Sequence, residues 1–258
     1  MILTRLYTYK DLLLVFIWRE FTVRYKQSSI GFLWAIFQPL SMMLMFTFIF
    51  SYVMPVKLSD QPYVIFFYAG ILPWSFFESS LKYSIPSLTN HYELITKIYF
   101  PREILPLSGI CVAFLDFCIA TLVFIVLLCY YRIHITLNLF WFVPLLLLLI
   151  LFTIAVAMFF ASLNVYYRDV KLAMAFFIQL WFFATPVFYS IDKIPERIKY
   201  LLFLNPMTFI VENMRRILIE GRGVVTWQFL FVLSVVTALL VASYFSFIRM
   251  ERRFADVI

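Results

Sequence analysis

Long uninterrupted apolar segments alternate with short polar ones along this chain. Six of the apolar segments reach about 18 residues or more with few charges: 31–54, 62–81, 104–130, 138–163, 172–190 and 227–248. About 20 apolar residues in a helix cross the ~30 Å hydrocarbon core of a bilayer. The runs are continuous and too long to be the alternating strands of a membrane barrel. The pattern therefore predicts an all-α integral membrane protein with one six-span domain over residues 31–258.

Residues 1–30 precede this domain and carry a weaker helical pattern. Leu14, Ile17, Phe21 and Tyr25 fall on one stripe at helical spacing, whereas the basic residues point elsewhere. Such a segment is expected to lie on the cytoplasmic surface of the membrane as an interfacial helix. The alternative is an ordinary basic flank that only orients the first span.

Two shorter amphipathic segments, 195–203 and 206–219, lie between the fifth and sixth spans. Neither is long or apolar enough to cross a bilayer. The second begins with Asn205 as a cap and Pro206 at the first helical position, and glycines follow its end. We expect both helices to lie at the outer surface or to enter the membrane and return, which is allowed where the backbone is buried in protein. A small outer cap without a further role is the alternative.

The segment NHYELITKIYFPRE (90–103) is short and charged, yet it lies between the second and third spans. Asn90 and Glu93 resemble a capping box, and Pro101 would stop the helix after about three turns. Glu93 and Lys97 can form an ion pair across one turn. Apolar side chains that could enter a groove on a partner recur at helical spacing. They are Leu94, Ile98 and either His91 or Ile95.

The distribution of Lys and Arg predicts the orientation. The termini and the connections 82–103 and 164–171 are richer in Lys and Arg than the first two connections on the opposite side, which hold one each. Because short basic loops stay in the cytoplasm, we expect both termini inside and 191–226 outside. The 191–226 loop, with six basic residues, argues the other way, although acidic residues accompany them.

Composition agrees with a membrane location. Of the 258 residues, 64% are hydrophobic and 14% are charged, and the mean hydropathy is +0.95. A soluble fold of this size could not bury so much apolar surface. The formal net charge of +7 suggests contact with anionic membrane lipid, and not with nucleic acid.

Motifs for catalysis and metal binding are absent from the sequence. Its only histidines are His91 and His134, and Cys111, Cys118 and Cys129 all fall within the third span without metal-ligand spacing. No G-x-x-x-x-G-K-[ST] loop is present to hold ATP phosphates. We therefore expect no enzyme activity, no metal and no cofactor in this chain, and any ATP chemistry would belong to a partner.

One acidic side chain and a surplus of aromatic ones stand out within the spans. Asp116 lies deep in the third span, where a carboxylate costs roughly 2.5–3.5 kcal/mol. It could serve as an ion or proton site, or as a hydrogen bond between helices, which we favour. Aromatic residues make up 21% of the chain, and rings can stack on the faces of sugars. They indicate either a sliding surface for a long, carbohydrate-like molecule or ordinary packing and lipid contact. The rings singled out for such contact are Tyr63, Phe66, Phe67, Trp74, Phe77, Phe188 and Tyr189.

Five segments together resemble one family. They are WREFTVRYKQSSIGFLWAIFQPL (18–40), NHYELITKIYFPREILP (90–106), ASLNVYYRDV (161–170), TPVFYS (185–190) and LNPMTFIVENMR (204–215). In this order, along nearly the whole chain, they resemble the membrane permease subunit of ABC-type polysaccharide exporters, the class that moves O-antigen, capsule or teichoic acid. The resemblance implies a six-span half-transporter of the inner (cytoplasmic) membrane. It would pair with a second copy of itself and with two copies of a cytoplasmic ATPase, which binds the ATP and Mg. The cargo would be a polysaccharide on a polyprenyl-diphosphate or related lipid.

The resemblance also implies a role for the segment 90–103, as a coupling helix docked into a groove of the ATPase. The residues expected there are Asn90, His91, Glu93, Leu94, Ile95, Lys97, Ile98, Pro101, Arg102 and Glu103. A surface helix packed only on lipid or on its own subunit is the alternative. Two other functions stay open, an ABC permease for a drug or small lipid and a membrane-embedded transferase acting on lipid-linked sugar. The missing acid–base and metal motifs count against the transferase.

Overall fold

A computed structural model describes residues 8–26, 31–53, 62–134 and 136–254 of the chain. Every regular element in these ranges is a helix, as the continuous apolar runs predict. The α-helices are, in chain order, α1 (Lys10–Tyr25), α2 (Trp34–Phe48), α3 (Tyr63–Ser84), α4 (Ser87–Asn90), α5 (Tyr92–Lys97), α6 (Ile104–Tyr130), α7 (Phe142–Tyr166), α8 (Val170–Ala184), α9 (Glu196–Phe203), α10 (Pro206–Arg215) and α11 (Thr226–Glu251). Short 3-10 helices cover Gly31–Leu33, Leu137–Trp141 and Ile191–Lys193, and π-helical turns cover Ile49–Val53 and Arg216–Glu220.

Five helical stretches among the described residues are long and apolar enough to cross a membrane. They are Trp34–Val53, Tyr63–Ser84, Ile104–Tyr130, Leu137–Tyr166 and Thr226–Glu251. These stretches match five of the six predicted spans. The remaining predicted span, 172–190, corresponds to α8, which has 15 residues. At 1.5 Å per residue, α8 extends about 22 Å, less than the ~30 Å hydrocarbon core. The sixth crossing therefore stays a prediction.

Helix α3 forms the centre of the bundle. Within its apolar window 78% of the residues are buried, and it packs against α2, α6, α7 and α10. Pro62 with extended backbone precedes its first residue, and Pro86 follows soon after its last. A helix that is apolar on every side is expected to be enclosed by other helices, and α3 fulfils this expectation.

Helices α2 and α8, by contrast, expose most of their apolar side chains. Only 11% of the first spanning stretch is buried, and the buried residues of α8 are Met174 and Ile178. The exposed rings include Phe37 and Phe48 on α2 and Phe176 on α8. Apolar surface of this extent indicates contact with lipid or with another protein chain.

The helix expected within residues 1–30 is present as α1, over Lys10–Tyr25. Its buried face agrees with the predicted stripe only in part, at Tyr25, and adds Phe16 from outside the stripe. Phe16 and Tyr25 are buried, whereas Leu14 is exposed. The reason is that α1 packs along α6 and that Phe16 belongs to a hydrophobic cluster shared with other helices. This cluster, called the α1 cluster below, contains Phe16, Leu88, Ile95, Phe100, Ile104, Leu105, Met158, Ala161, Val165, Phe247 and Phe254.

The two predicted helices between the fifth and sixth spans are present as α9 and α10. The cap on α10 is confirmed, because the Asn205 side chain accepts a hydrogen bond from the N–H of Met207 at 3.0 Å and Pro206 takes the first helical position. The π-helical turn after α10 ends at Gly221, whose φ of +65° is left-handed. Every residue of α10 from Met207 onwards is buried, and α10 packs between α3 and α7. It therefore lies inside the protein and not on its surface.

Candidate functional site

The charged segment 90–103 does not form the single three-turn helix expected. It contains only the last residue of α4, Asn90, followed by the six-residue helix α5. The break falls at His91, whose φ of −115° and ψ of 32° are not helical. The predicted capping box is wrong, because Asn90 ends α4 and no side chain among the described residues caps α5. Helix α5 ends about one turn before Pro101, and Ile98 is already extended. Proline therefore does not stop this helix directly.

His91 attaches the segment to the N-terminal helix α1. Its Nδ1 lies 2.8 Å from the carbonyl oxygen of Ser87, and its Nε2 lies 3.3 Å from Glu20 Oε1 on α1. The ring also meets the Phe16 ring edge-on, with centroids 5.8 Å apart. The hydrogen bond with His91 holds the pKa of the Glu20 carboxyl below its ordinary value. His91 thus links two parts of its own chain, and the bend at His91 directs its ring towards α1.

The apolar side chains of α5 divide between an inner and an outer face. Ile95 is buried in the α1 cluster, and Leu94 packs partly against it. Both were expected to anchor a partner, yet both contact their own chain. Ile98 is exposed as predicted. Tyr92 and Tyr99 are also exposed, Tyr99 at 91%, and sequence reasoning missed them.

The exposed side of α5 and the two residues that follow it are called the coupling face below. This face consists of Tyr92, Glu93, Thr96, Lys97, Ile98 and Tyr99. Glu93 and Lys97 approach to 3.9 Å across one turn, as predicted. Because both are well exposed, this pair is worth only about 0.3–0.5 kcal/mol. The sequence shows the two tyrosines at positions 92 and 99, but Tyr99 lies beyond the end of α5, so helical spacing does not place it beside Tyr92. Nothing in the sequence, however, says which stripe faces outward.

The far end of the segment is tied to the end of α11. An Arg102 guanidinium N–H donates to the Glu251 carbonyl oxygen, and the Arg102 backbone N–H lies 3.4 Å from Glu251 Oε1. The guanidinium also lies over the Phe254 ring, 5.8 Å from its centroid. Glu103 is buried at the start of α6. Both residues were expected to meet the ATPase, yet Arg102 is bonded within the protein and Glu103 is buried in it.

A third link joins the segment to the connection between α7 and α8. The Asn164 amide nitrogen donates to Thr89 Oγ1 at 3.2 Å, and its oxygen accepts from the backbone N–H of Lys171 at 3.1 Å. This asparagine belongs to the ASLNVYYRDV segment. The coupling face therefore rests on α1, α7, α8 and α11 together, and a displacement of the face would reach all four.

Asp116 pairs with two side chains of α1. Its carboxylate forms an ion pair with Arg24 and accepts a hydrogen bond from the Tyr25 hydroxyl at 2.5 Å. The Arg24 guanidinium also lies over the Tyr83 ring, 4.3 Å from its centroid. Burial and the neighbouring carboxylate raise the pKa of the Tyr25 phenol, which keeps it protonated as a donor. Of the two interpretations of Asp116, the hydrogen bond between helices is confirmed.

A buried arginine organises the other end of the bundle. Arg215 is 2% exposed and donates to Glu212 Oε2 at 3.1 Å. It also donates to the carbonyl oxygens of Pro186 and Val187 at 2.8 and 2.9 Å, and its guanidinium lies 3.8 Å from the centroid of the Phe66 ring. The TPVFYS and LNPMTFIVENMR segments therefore meet at this side chain. Sequence reasoning had counted Arg215 as an ordinary charge of the 191–226 loop.

The chain is similar to known proteins over most of its length. The sequence profile of the ABC-2 type transporter family matches residues 11–219, well over half of the chain. The chain belongs to the ABC-2 type transporter family. The family match covers the coupling face, Asp116, Arg215 and all of α1 except Lys10, whereas α11 lies beyond it.

Curated members of the family are similar along most of the chain. An O-antigen export system permease protein RfbA of Klebsiella pneumoniae is 31% identical over 250 residues, 96% of this chain and 95% of that protein. The RfbA of Myxococcus xanthus is 32% identical over 219 residues, 84% of each. The polysialic acid transport protein KpsM of Escherichia coli is 25% identical over 213 residues, 79% of each. This ABC-2 chain therefore aligns with such proteins nearly end to end.

Most of the rings expected to contact a carbohydrate lie in the core of this ABC-2 protein. Phe66, Phe67, Trp74 and Phe77 are each 4% exposed or less. Phe77, for example, stacks on Phe152 with centroids 5.5 Å apart. In this conformation the protein's own side chains keep these four away from any cargo, because α3 is the central helix. Their expected contact with carbohydrate is not supported by this packing.

The other three rings lie together at one end of α3. Tyr63, Phe188 and Tyr189 are partly exposed, and the Tyr63 hydroxyl donates to the Phe188 carbonyl oxygen at 2.9 Å. Arg215 holds the preceding carbonyls of Pro186 and Val187, and so fixes where these rings are presented. Contact with a carbohydrate stays a prediction for these three residues.

Proposed function

We propose that this protein is the permease half of an ABC exporter that moves a lipid-linked, O-antigen-like polysaccharide across the cytoplasmic membrane. The observation that carries the proposal is the 31% identity to an O-antigen export permease over 96% of this chain and 95% of that one. The alignment covers nearly the full length of both sequences. The five long apolar helices provide the membrane domain that such a task requires.

The energy for export is proposed to come from a separate ATPase. The chain has no glycine-rich phosphate-binding loop, so ATP and Mg would be bound by that partner. The coupling face supplies the contact, with Tyr92, Ile98 and Tyr99 as exposed apolar anchors and Glu93 and Lys97 setting register. The links to α1, α7, α8 and α11 would carry the motion of the ATPase into the spans.

Two copies of the chain, each with one ATPase, are proposed to enclose the path of the cargo. The exposed apolar faces of α2 and α8 support this, because a second copy would cover them. The cargo lipid is proposed to be a polyprenyl diphosphate or a related carrier. Tyr63, Phe188 and Tyr189 would meet the sugars, since their rings remain partly exposed.

The proposed topology places both termini and the coupling face inside, with α9 and α10 on the outer side as a re-entrant pair and α8 as the sixth crossing. The buried position of α10 supports re-entry, because backbone below the surface must be enclosed in protein. Arg215 also supports the orientation. Since it is buried against Glu212, it no longer adds to the basic charge of the outer loop.

The proposal is tested by deleting the gene in the source cells and complementing it. Surface polysaccharide is measured by immunoblot, and lipid-linked polymer is measured in extracts of the inner membrane. We expect the deletion to remove surface polymer and to cause its lipid-linked form to accumulate inside, and the chain to restore export only together with its ATPase. Normal surface polymer in the deletion strain, or restored export without any ATPase, would contradict the proposal.

A further inference from the structure

A second aromatic site lies between α9, α10 and α11, away from the rings already discussed. It is a pocket of about 390 Å³, within the size range of small-molecule sites. One wall is a single face of α9, because Glu196, Lys199 and Phe203 follow one another at i, i+3 and i+7. The buried ring of Phe209 on α10 lies at its base.

The opposite wall is the first part of α11. Trp227, Gln228 and Phe231 lie on one side of this helix and face the pocket. On another side of α11, Phe229 meets Trp141 edge-on, with centroids 5.5 Å apart. This contact fixes the rotation of α11, so the two pocket rings are held in place by the fold. Trp227 is nevertheless 68% exposed and Phe231 62%, which leaves ring surface open to a ligand.

The lining combines rings with hydrogen-bonding groups of every kind. Glu196 offers acceptors, Lys199 offers donors and Gln228 offers both. Lys199 lies 3.8 Å from Asp192, which positions its ammonium group. A lipid acyl chain has no hydrogen-bond donors or acceptors and could not pair with these side chains. The groove along α8, lined by Phe160, Leu163, Val170, Ala173, Met174, Phe177, Leu180, Trp181 and Ala184, is the contrasting case and suits an acyl chain.

We propose that this pocket binds a sugar unit of the exported polymer on the outer side of the membrane. The apolar C–H face of a sugar ring would stack on Trp227 and Phe231, and its hydroxyls would bond to Glu196 and Gln228. The pocket lies at the end of the bundle away from the coupling face. The exported polymer would arrive at this end as it leaves the membrane. The inference rests on the proposed function, and it adds a binding site outside the proposed path between two copies.

The test measures protection of a thiol within the pocket. Gln228→Cys is made in a chain whose Cys111, Cys118 and Cys129 are replaced by Ala, and the permease is placed in lipid nanodiscs. The probe is the polysaccharide released by mild acid from the surface of exporting cells. We expect it to slow maleimide labelling at position 228 in a saturable way. Labelling at Phe140→Cys, an exposed site outside the pocket, should stay unchanged.

Removing the pocket rings should weaken this protection. Phe231→Ala should raise the concentration needed for half-protection on the order of tenfold, the scale found when a ring that stacks on a base is lost. Phe245→Ala removes a comparably exposed ring elsewhere on α11 and should leave the concentration unchanged. Equal protection at positions 228 and 140, or no protection at position 228, would overturn the inference, as would equal effects of the two alanine variants.

Failure of this inference can be told apart from failure of the proposed function. Export by the unmodified chain is measured by complementation in the same cells. If export is restored but the probe leaves position 228 unprotected, the pocket assignment alone is overturned. If the unmodified chain does not restore surface polymer, the proposed function is wrong. The assignment of the pocket's ligand as a sugar of the exported polymer is then wrong as well.

Discussion

At the scale of the residue, the two most informative side chains are Asp116 and Arg215, which are charged and lie inside an apolar bundle. Asp116 is held by Arg24 and Tyr25, more than 90 positions away in the chain, and Arg215 holds two carbonyls of the 185–190 segment. The sequence shows that a carboxylate within a span needs a partner. It does not show which partner, because the pairing depends on how α1 lies against α6.

The pair Arg24 and Asp116 should show strong coupling in a double-mutant cycle. Arg24→Met or Asp116→Leu alone leaves the other charge without its partner, and breaking such a pair costs about 3–5 kcal/mol when it is fully buried. We expect less here, because both side chains keep some solvent contact. The double variant should lose much less stability than the sum of the single ones, measured by thermal unfolding in detergent. Strict additivity would show that the pair contributes nothing.

Gly70 should be intolerant of substitution. A Cβ at this position would lie 2.6 Å from Arg215 Nη2 and 2.7 Å from the carbonyl oxygen of Val187. Since that oxygen belongs to the backbone, Gly70→Ala should cost about 1–3 kcal/mol through overpacking and disturb the 185–190 segment. Gly109→Ala is the matched control, because its nearest neighbours would lie at 3.1 Å. The same monodisperse yield and melting temperature for both variants would contradict the prediction.

At the scale of the element, the segment 90–103 illustrates what a pattern can and cannot decide. Its position between two spans and its Glu93–Lys97 pair follow from the sequence. The break at His91 does not, because it depends on the contact of this ring with Glu20 and Phe16 of α1. The same tertiary contact turns Leu94 and Ile95 inward and leaves two tyrosines outside.

The coupling face and the inner face should respond differently to substitution. The double variant Tyr92→Ala/Tyr99→Ala should reduce co-purification of the ATPase on the order of 30-fold, as expected for about 2 kcal/mol lost at the centre of an interface, with permease levels unchanged. Ile95→Asp places a charge in the α1 cluster and should lower the amount of folded permease instead. Lys97→Ala, at an exposed charge, is the mild control. Normal ATPase recovery with the tyrosine variant would refute docking at this face.

At the scale of the whole molecule, the bundle combines a closely packed centre with weakly covered flanks. Helix α3 is enclosed by its own chain, whereas α2 and α8 expose most of their apolar surface. A single chain is therefore proposed to be incomplete until a second copy and lipid surround it. The ends of the bundle also differ, because the coupling face lies at one and α9 with its pocket lies at the other.

Thiol labelling should distinguish these two ends. Lys97→Cys and Arg222→Cys are well matched, since the native side chains are 73% and 77% exposed. In a background without native cysteines, an impermeant maleimide added to intact cells with a permeabilised outer membrane should label position 222 but not position 97. Disruption of the inner membrane should make position 97 react. Labelling of position 97 in intact cells would reverse the proposed orientation.

The sequence by itself determined the features that depend on local pattern. Continuous apolar runs require helices in a membrane because each backbone group must be hydrogen-bonded within its own segment, and Asn205 with Pro206 marks the start of α10 because capping is local. The tertiary structure alone decided which side of each apolar helix is buried. Lipid and protein core are equally apolar, so hydrophobicity could not distinguish Phe77 in the core from Phe176 on the surface. For the same reason the partners of Asp116 and Arg215, and the outward face of α5, emerged only from the packing of distant segments.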